Sequence, residues 1–232
     1  EMITTFKIEE REFCLPHLEG CTDYFYIAPD HTEKDAPQSW SMSLDLESND
    51  YTYQVEHKLK RSEVPARNGT VVLLHGYGSD KSAMLLLGQH FRFLGYHVVI
   101  PDLAGHGGSL IDTPSYGIHD SVMLNTLVNS LPTREVPQPL HVVGVSMGAV
   151  AAAHMVKART DVTSLMLFAP MRPLDEATQA MAQWSYPTLS RWIPRESFAR
   201  GVGAALQKQG ATVADTDLRE LLAATDIPVL IA

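Results

Sequence analysis

Four short apolar runs recur between residues 70 and 168: Thr70-Val71-Val72-Leu73-Leu74, Tyr96-His97-Val98-Val99-Ile100, Leu140 to Val145, and Val162 to Phe168. A strand with one wet face alternates apolar and polar residues, whereas a strand covered on both faces stays apolar throughout. The runs therefore predict buried strands. Stretches of helical spacing separate them. Ser79 or Asp80 is placed to cap the first, in which Met84, Leu85, Leu87, Phe91 and Leu94 keep helical spacing until Gly95 stops it. His119 to Leu131 is the second, with Pro132 just beyond, and a small-residue run starting at Ala149 is the third. Strand and helix in alternation predict an α/β fold, a mostly parallel sheet with helices on both faces.

The flanks have a different texture. Ile3 to Ile8, Tyr24 to Ile27, Trp40 to Leu46 and Tyr51 to His57 alternate in whole or part, with the turn-prone Ser48-Asn49-Asp50 before the last. They predict N-terminal antiparallel strands. The expected division is a β-rich extension over residues 1–65 without chemistry of its own, a turn or linker from Ser62 to Gly69, and an α/β core over 66–232. Residues 171–226 break the core's rhythm and predict a helical cap, with a helix from about Asp215 to Ala224. Trp184, Tyr186, Trp192 and Phe198 are expected to pack as that cap's own core. Ile227 to Ala232 predicts a fifth buried strand, inside which the sequence stops.

Charge narrows the function classes. Twenty-seven acidic against eighteen basic side chains leave a formal charge of −9, which argues against nucleic acid and anionic membrane surfaces as partners. No apolar stretch is long enough to span a bilayer. The sequence opens on Glu1, so an upstream segment is expected to have been removed. Cys14 and Cys21 are spaced for a loop disulfide in an exported protein, and equally for two free thiols. Location stays open on this basis, with export or the periplasm favoured over the cytoplasm.

The candidate chemistry sits between the third strand and the third helix, in Gly144-Val145-Ser146-Met147-Gly148. A strand that turns directly into a helix leaves no room for side chains two residues before and after the turn, and glycine stands at both places. A serine there is the candidate nucleophile, provided that a base takes its proton as the bond forms. The N–H of Met147, at the mouth of its helix, would face the developing negative charge.

Two further segments join this one. His75-Gly76-Tyr77-Gly78 follows the first core strand, and Pro101-Asp102-Leu103-Ala104-Gly105-His106-Gly107-Gly108-Ser109 follows the second. With the pentapeptide they resemble the α/β-hydrolase family over residues 70–232, most closely its lid-bearing serine esterase or monoacylglycerol-lipase-like type. The resemblance implies cleavage of carboxylic esters through an acyl-enzyme, with Ser146 catalytic. It implies oxyanion-hole N–H groups from Tyr77 and Met147, a small-molecule acyl ester as partner, and neither metal nor organic cofactor. Thioesters and amides use the same machinery, and a non-catalytic binding protein on the same fold is the rival class. His75 and His106 read as loop-bracing histidines and Asp102 as a loop-fixing carboxylate. Gly105, Gly107 and Gly108 do not make a dinucleotide fingerprint, because no acidic partner or glycine-led helix start follows.

The family order is serine, acid, histidine. His154 is the single histidine after Ser146, and eight residues of helix put it about 12 Å away along the axis. The acid and the histidine are expected beyond Ala232. Asp175 matches a less frequent placement of the acid, and a helix-capping carboxylate is its other reading. Three accounts are open: a piece of a longer active hydrolase, which is favoured, a second polypeptide that completes the sheet, or a degenerate hydrolase that binds without cleaving. Oligomeric state is not legible in the sequence.

Overall fold

A computed structural model describes residues 7–15, 20–30, 36–47, 52–65 and 67–232. Its strands are β1 (Ile8–Cys14), β2 (Cys21–Ile27), β3 (Ser39–Glu47), β4 (Thr52–Lys60), β5 (Thr70–Leu74), β6 (His97–Pro101), β7 (Leu140–Val145), β8 (Val162–Phe168) and β9 (Val229–Ile231). Its α-helices are α1 (Leu85–Leu94), α2 (Asp120–Ser130), α3 (Met147–Lys157), α4 (Leu174–Ser185), α5 (Pro187–Ser190), α6 (Arg195–Gln207) and α7 (Leu218–Leu221). Seven strands form one mixed sheet in the order β1-β2-β6-β5-β7-β8-β9. The pairs from β6 across to β9 are parallel, whereas β1 with β2 and β2 with β6 are antiparallel. Strands β3 and β4 form a separate hairpin sheet.

Every residue of β5 is buried, as its unbroken apolar run requires. Val71 and Leu73 point into the layer under α1, with Phe25, Ile27 and Ile100. Val72 and Leu74 point the other way, onto the layer shared by α2 and α3. Asp80 accepts a hydrogen bond from Ser82 N–H at the 3₁₀ turn that leads into α1, and left-handed Gly95 (φ 101°) ends that helix.

Three readings of the flanks change, and another lies largely outside the described residues. The first described strand starts at Ile8, so the alternation from Ile3 lies mostly outside the described residues, as does the turn at 48–50. The helix expected from Asp215 to Ala224 is a 3₁₀ turn, Val213–Thr216, followed by the four-residue α7. Asp217 breaks the run: its backbone is extended, and its side chain caps α7 at Arg219 N–H. The helical insertion packs through Leu174, Val202, Leu206 and Ala211, onto Ile118 ahead of α2. Trp184 and Trp192 are instead each 85% exposed, Tyr186 is exposed, and Phe198 is half-buried. The last strand forms as expected beside β8, but Val229, Leu230 and Ile231 are 37, 53 and 61% exposed rather than buried.

Cys14 and Cys21 face each other across the β1–β2 pair and are joined as a disulfide, which resolves the choice the sequence left open. Among the described residues no helix is long and apolar enough to cross a membrane.

Candidate active site

Strand β7 runs into α3 with a single residue between them, Ser146, whose backbone is left-handed at φ 53° and ψ −115°. A non-glycine residue there is strained by of order 1–3 kcal/mol, so the surroundings must hold it. Ser146 N–H donates to the Phe168 carbonyl at 3.0 Å, and the Ser146 carbonyl accepts from Ala149 N–H at 3.0 Å and Met171 N–H at 3.3 Å. The flanking glycines explain how the turn closes. A Cβ on Gly144 would lie 2.3 Å from the Gly148 carbonyl oxygen, and one on Gly148 would lie 2.3 Å from that of Leu74. Neither position has room for any side chain.

Ser146 itself is half-buried, neither sealed in the core nor free on the surface. The loop after β5 presses against it: a Cβ on Gly76 would sit 3.3 Å from Ser146 Cβ and 3.9 Å from Oγ. Tyr77 follows Gly76 and is 50% exposed, whereas the Met147 side chain is buried at the head of α3. The first N–H groups of a helix have no partner within it, and the helix dipole adds positive potential at the same place. Strand end, helix start and loop therefore converge on one hydroxyl.

The loops around it are held by a buried polar cluster. His75 is fully buried. Its Nδ1–H donates to the Gly76 carbonyl at 2.9 Å, and its Nε2 accepts from Leu103 N–H at 3.0 Å. Both ring nitrogens are thus engaged, in the neutral tautomer. Burial pushes its pKa below the ordinary imidazole value, and the Gly76 carbonyl and Asp102 offset this only in part. His75 braces the loop rather than serving as a base. Asp102, also fully buried, accepts from Lys81 N–H at 2.7 Å, Lys81 Nζ at 2.8 Å and Gly108 N–H at 2.8 Å. Lys81 reaches Glu10 of β1 as well, at 3.1 Å. Burial opposes the ammonium, but its hydrogen bonds to Asp102 and Glu10 outweigh that and raise the Lys81 pKa. His106 donates from Nδ1 to the Ala104 carbonyl at 2.9 Å and packs edge-on against His75 and Tyr77.

The two remaining sequence candidates lie apart from this centre. His154 points down α3 to the Asp215 carbonyl, 2.8 Å from its Nε2, and ties the helix to the 3₁₀ turn ahead of α7. Asp175 is half-buried in the first turn of α4, where a carboxylate complements the helix dipole. Among the described residues no hydrogen bond or ion pair joins either of them to Ser146. Lys81 and Tyr116 are additions that sequence reasoning missed. A lysine beside a helix start reads as solvated surface. Tyr116, left-handed at φ 53°, stacks on Tyr77 with 6.0 Å between ring centres, a pairing that only the fold reveals.

Known proteins share the fold that carries this geometry. The family model Hydrolase_4, described as "Serine aminopeptidase, S33", matches residues 65–229. The chain belongs to this α/β-hydrolase family. Among individual proteins, Lipase 1 of Psychrobacter immobilis is 31% identical over 157 residues, covering 65% of this chain and 47% of that protein. This α/β-hydrolase therefore spans about half the length of the lipase it matches. Solved structures share its fold at low identity. An esterase of Pyrococcus furiosus superposes with a TM-score of 0.57 at 17% identity, covering 98% of this chain and 69% of that one. The 2,6-dihydroxy-pseudo-oxynicotine hydrolase gives 0.60 at 13% identity, over 97% of this chain and 52% of that one.

Proposed function

We propose that this α/β-hydrolase is a serine hydrolase that cleaves carboxylic esters through an acyl-enzyme, with Ser146 as nucleophile. The observation that carries the reading is the strained, half-buried Ser146 at the β7–α3 junction, with the Gly76–Tyr77 loop packed against it. In this scheme Ser146 Oγ bonds to the acyl carbon and its proton passes to a histidine. The C–O bond to the leaving alcohol then breaks, and the same proton goes to that alcohol. Water resolves the acyl-enzyme by the reverse sequence. Backbone N–H groups of Tyr77 and Met147 hold the carbonyl oxygen as it gains charge, and losing one such donor costs about a hundredfold or more in turnover.

The histidine and its acid are assigned to residues outside 1–232, because His75 is engaged at both ring nitrogens and His154, the single histidine after Ser146, is turned to the Asp215 carbonyl. Asp175 is the alternative acid within the chain. Residues 171–226 act as the lid over the site, and the Cys14–Cys21 pair favours an oxidising compartment. The match to a lipase supports an ester substrate. The family's description as a serine aminopeptidase supports a second reading, an amide substrate on the same serine.

The test is hydrolysis of p-nitrophenyl acetate and of an aminoacyl p-nitroanilide by the full-length protein that contains this chain. Ser146→Ala is expected to remove the ester activity by at least about a thousandfold and to abolish labelling by a fluorophosphonate probe. Activity that survives the substitution refutes the nucleophile. A preference for the anilide replaces the ester reading with the amide one.

A further inference from the structure

Among the described residues four besides glycine have a left-handed φ, and three of them lie round the serine. Ser146 is the turn itself, and Ala169 (φ 42°) follows Phe168, the strand end to which the Ser146 N–H is bonded. The third, Tyr116 (φ 53°), sits in the loop ahead of α2, where a bulky ring is costly and glycine would be easy. Its neighbours impose that backbone. Ser115, Gly117 and Ile118 are all buried. The Ser115 hydroxyl donates to buried Asp120, whose other oxygen accepts from Ala104 N–H at 2.8 Å, and Ile118 N–H donates to the Ser115 carbonyl at 3.0 Å. A Cβ on Gly117 would lie 2.7 Å from Ala151 N and 2.9 Å from the Met147 carbonyl oxygen. The segment is thus pressed onto the first turn of α3, the same helix start that Ser146 precedes.

The half-buried ring this backbone holds out has two neighbours. It packs against the apolar cluster that joins the helical insertion to the core, with Leu174, Val202 and Leu206. It also stacks on Tyr77, with 6.0 Å between ring centres and 16° between planes. Tyr77 is met edge-on by His106 at 5.3 Å, and His106 by His75 at 5.4 Å. The backbone of Tyr77 is otherwise lightly held. Gly76 before it presses on Ser146, but a Cβ on Gly78 after it would meet nothing within 4 Å. Among the described residues the Tyr77 N–H donates no hydrogen bond. Contacts of its ring are therefore what locate this half-exposed residue.

We propose that Tyr116 is a positioning residue: by stacking on Tyr77 it fixes the Tyr77 N–H beside Ser146 and ties that loop to the helical insertion. The proposal rests on the reading of Ser146 as nucleophile and of the Tyr77 N–H as an oxyanion donor. Such a donor acts by standing in place before charge develops on the carbonyl oxygen. A loop free to swing must be ordered again at each turnover, and a misplacement of about 1 Å costs up to about a hundredfold in rate. The loss falls on the charged transition state far more than on the neutral ester, so it belongs to kcat rather than KM. What Tyr116 supplies is the flat face of its ring, not its hydroxyl.

The experiment measures kcat, KM and the rate of fluorophosphonate labelling for the full-length protein with Tyr116→Leu, Tyr116→Gly or Tyr116→Phe. The substrate is whichever of p-nitrophenyl acetate and the aminoacyl p-nitroanilide the parent cleaves. Tyr116→Leu is expected to lower kcat about tenfold or more with KM within about twofold, and to slow labelling by a similar factor. Tyr116→Gly removes the backbone strain along with the ring, so it keeps the test alive if Tyr116→Leu does not fold, and the same loss is expected. Tyr116→Phe is expected to stay within about twofold of the parent. Because the loss runs through the stack, Tyr116→Gly made on a Tyr77→Ala background should cost less than about twofold more. An unchanged kcat in the Leu and Gly variants, a change in KM alone, or an equal loss in Tyr116→Phe overturns the proposal. So does a full further loss on the Tyr77→Ala background. A parent that is neither active nor labelled fails the Ser146 reading and this proposal with it. A labelled parent whose labelling is indifferent to Tyr116 overturns the proposal and leaves Ser146 standing.

Discussion

Asp102 and His75 are buried side by side, and their partners show what each residue contributes. The carboxylate of Asp102 is satisfied by one ammonium and two backbone N–H groups, supplied by the segments that follow β5 and β6. Removing the ammonium would strand a buried charge. Lys81→Met is expected to cost about 3–5 kcal/mol, read from urea unfolding, whereas an exposed lysine would cost almost nothing. His75 makes a prediction about pH. Its folded pKa lies below the unfolded value of about 6.5, so below that pH the unfolded chain binds a proton that the folded chain refuses. His106 pushes in the same direction, while Asp102 and Asp80 oppose it. His90 and His141 are lowered by burial too. Stability present near neutrality is thus lost as acid is added, and the thermal midpoint is expected to fall between about pH 7 and pH 5. A midpoint that rises over this range contradicts the assignment. The glycines of the turn were legible residue by residue, since steric exclusion depends only on local geometry. Lys81 was not legible, because its burial is created by Phe25 and Glu10, distant in sequence.

Among the elements, strands and helices with a strong period were legible and those set by distant partners were not. Strand β5 matches its expected bounds because burial on both faces is a local pattern. The helix after it ends at Gly95 as expected, while the turn capped by Asp80 is 3₁₀ and α1 proper begins only at Leu85. Helix α7 is shorter than expected because Asp217 satisfies a helix start where the apolar pattern alone suggested continuation. The β1–β2 pair was half visible. The spacing of its cysteines is legible, but the run of charge from Glu9 to Glu12 hides a strand whose partner lies across the disulfide. The cross-link closes a short loop, so replacing both cysteines by serine is expected to cost about 2 kcal/mol. Comparing urea midpoints of the two forms, with and without reductant, checks this: the parent in reductant should approach the variant, and the variant should not respond. The hairpin β3–β4 was expected as strands, but its place beside α1 follows from Arg61 and Trp40 finding Asp30 and His90.

At the scale of the whole molecule, the parallel core was legible and its surroundings were less so. Large apolar rings usually bury themselves, so the sequence predicts packing for the aromatics of residues 171–226. Here Trp184, Tyr186, Leu189 and Trp192 stand open on the cap while smaller aliphatic residues fill its centre. Two of the three tryptophans should therefore be reached by iodide. Replacing Trp184 and Trp192 by phenylalanine is expected to remove most of the quenchable emission and leave that of half-buried Trp40. Emission that resists iodide in the parent would mean that the cap is covered in solution.

The family match begins at residue 65, and that boundary invites a shortened gene. Such a gene would lose more than a decoration. Tyr24 to Ile27 sit beside Val98 to Pro101, so cutting ahead of residue 65 lays bare the flank of β6 along its backbone. It would also take Glu10 from Lys81, whose other anion holds the loops next to the serine. Expression of the full-length protein without its first sixty-four residues should yield a sticky, aggregating product, and restoring those residues should restore the yield of folded protein.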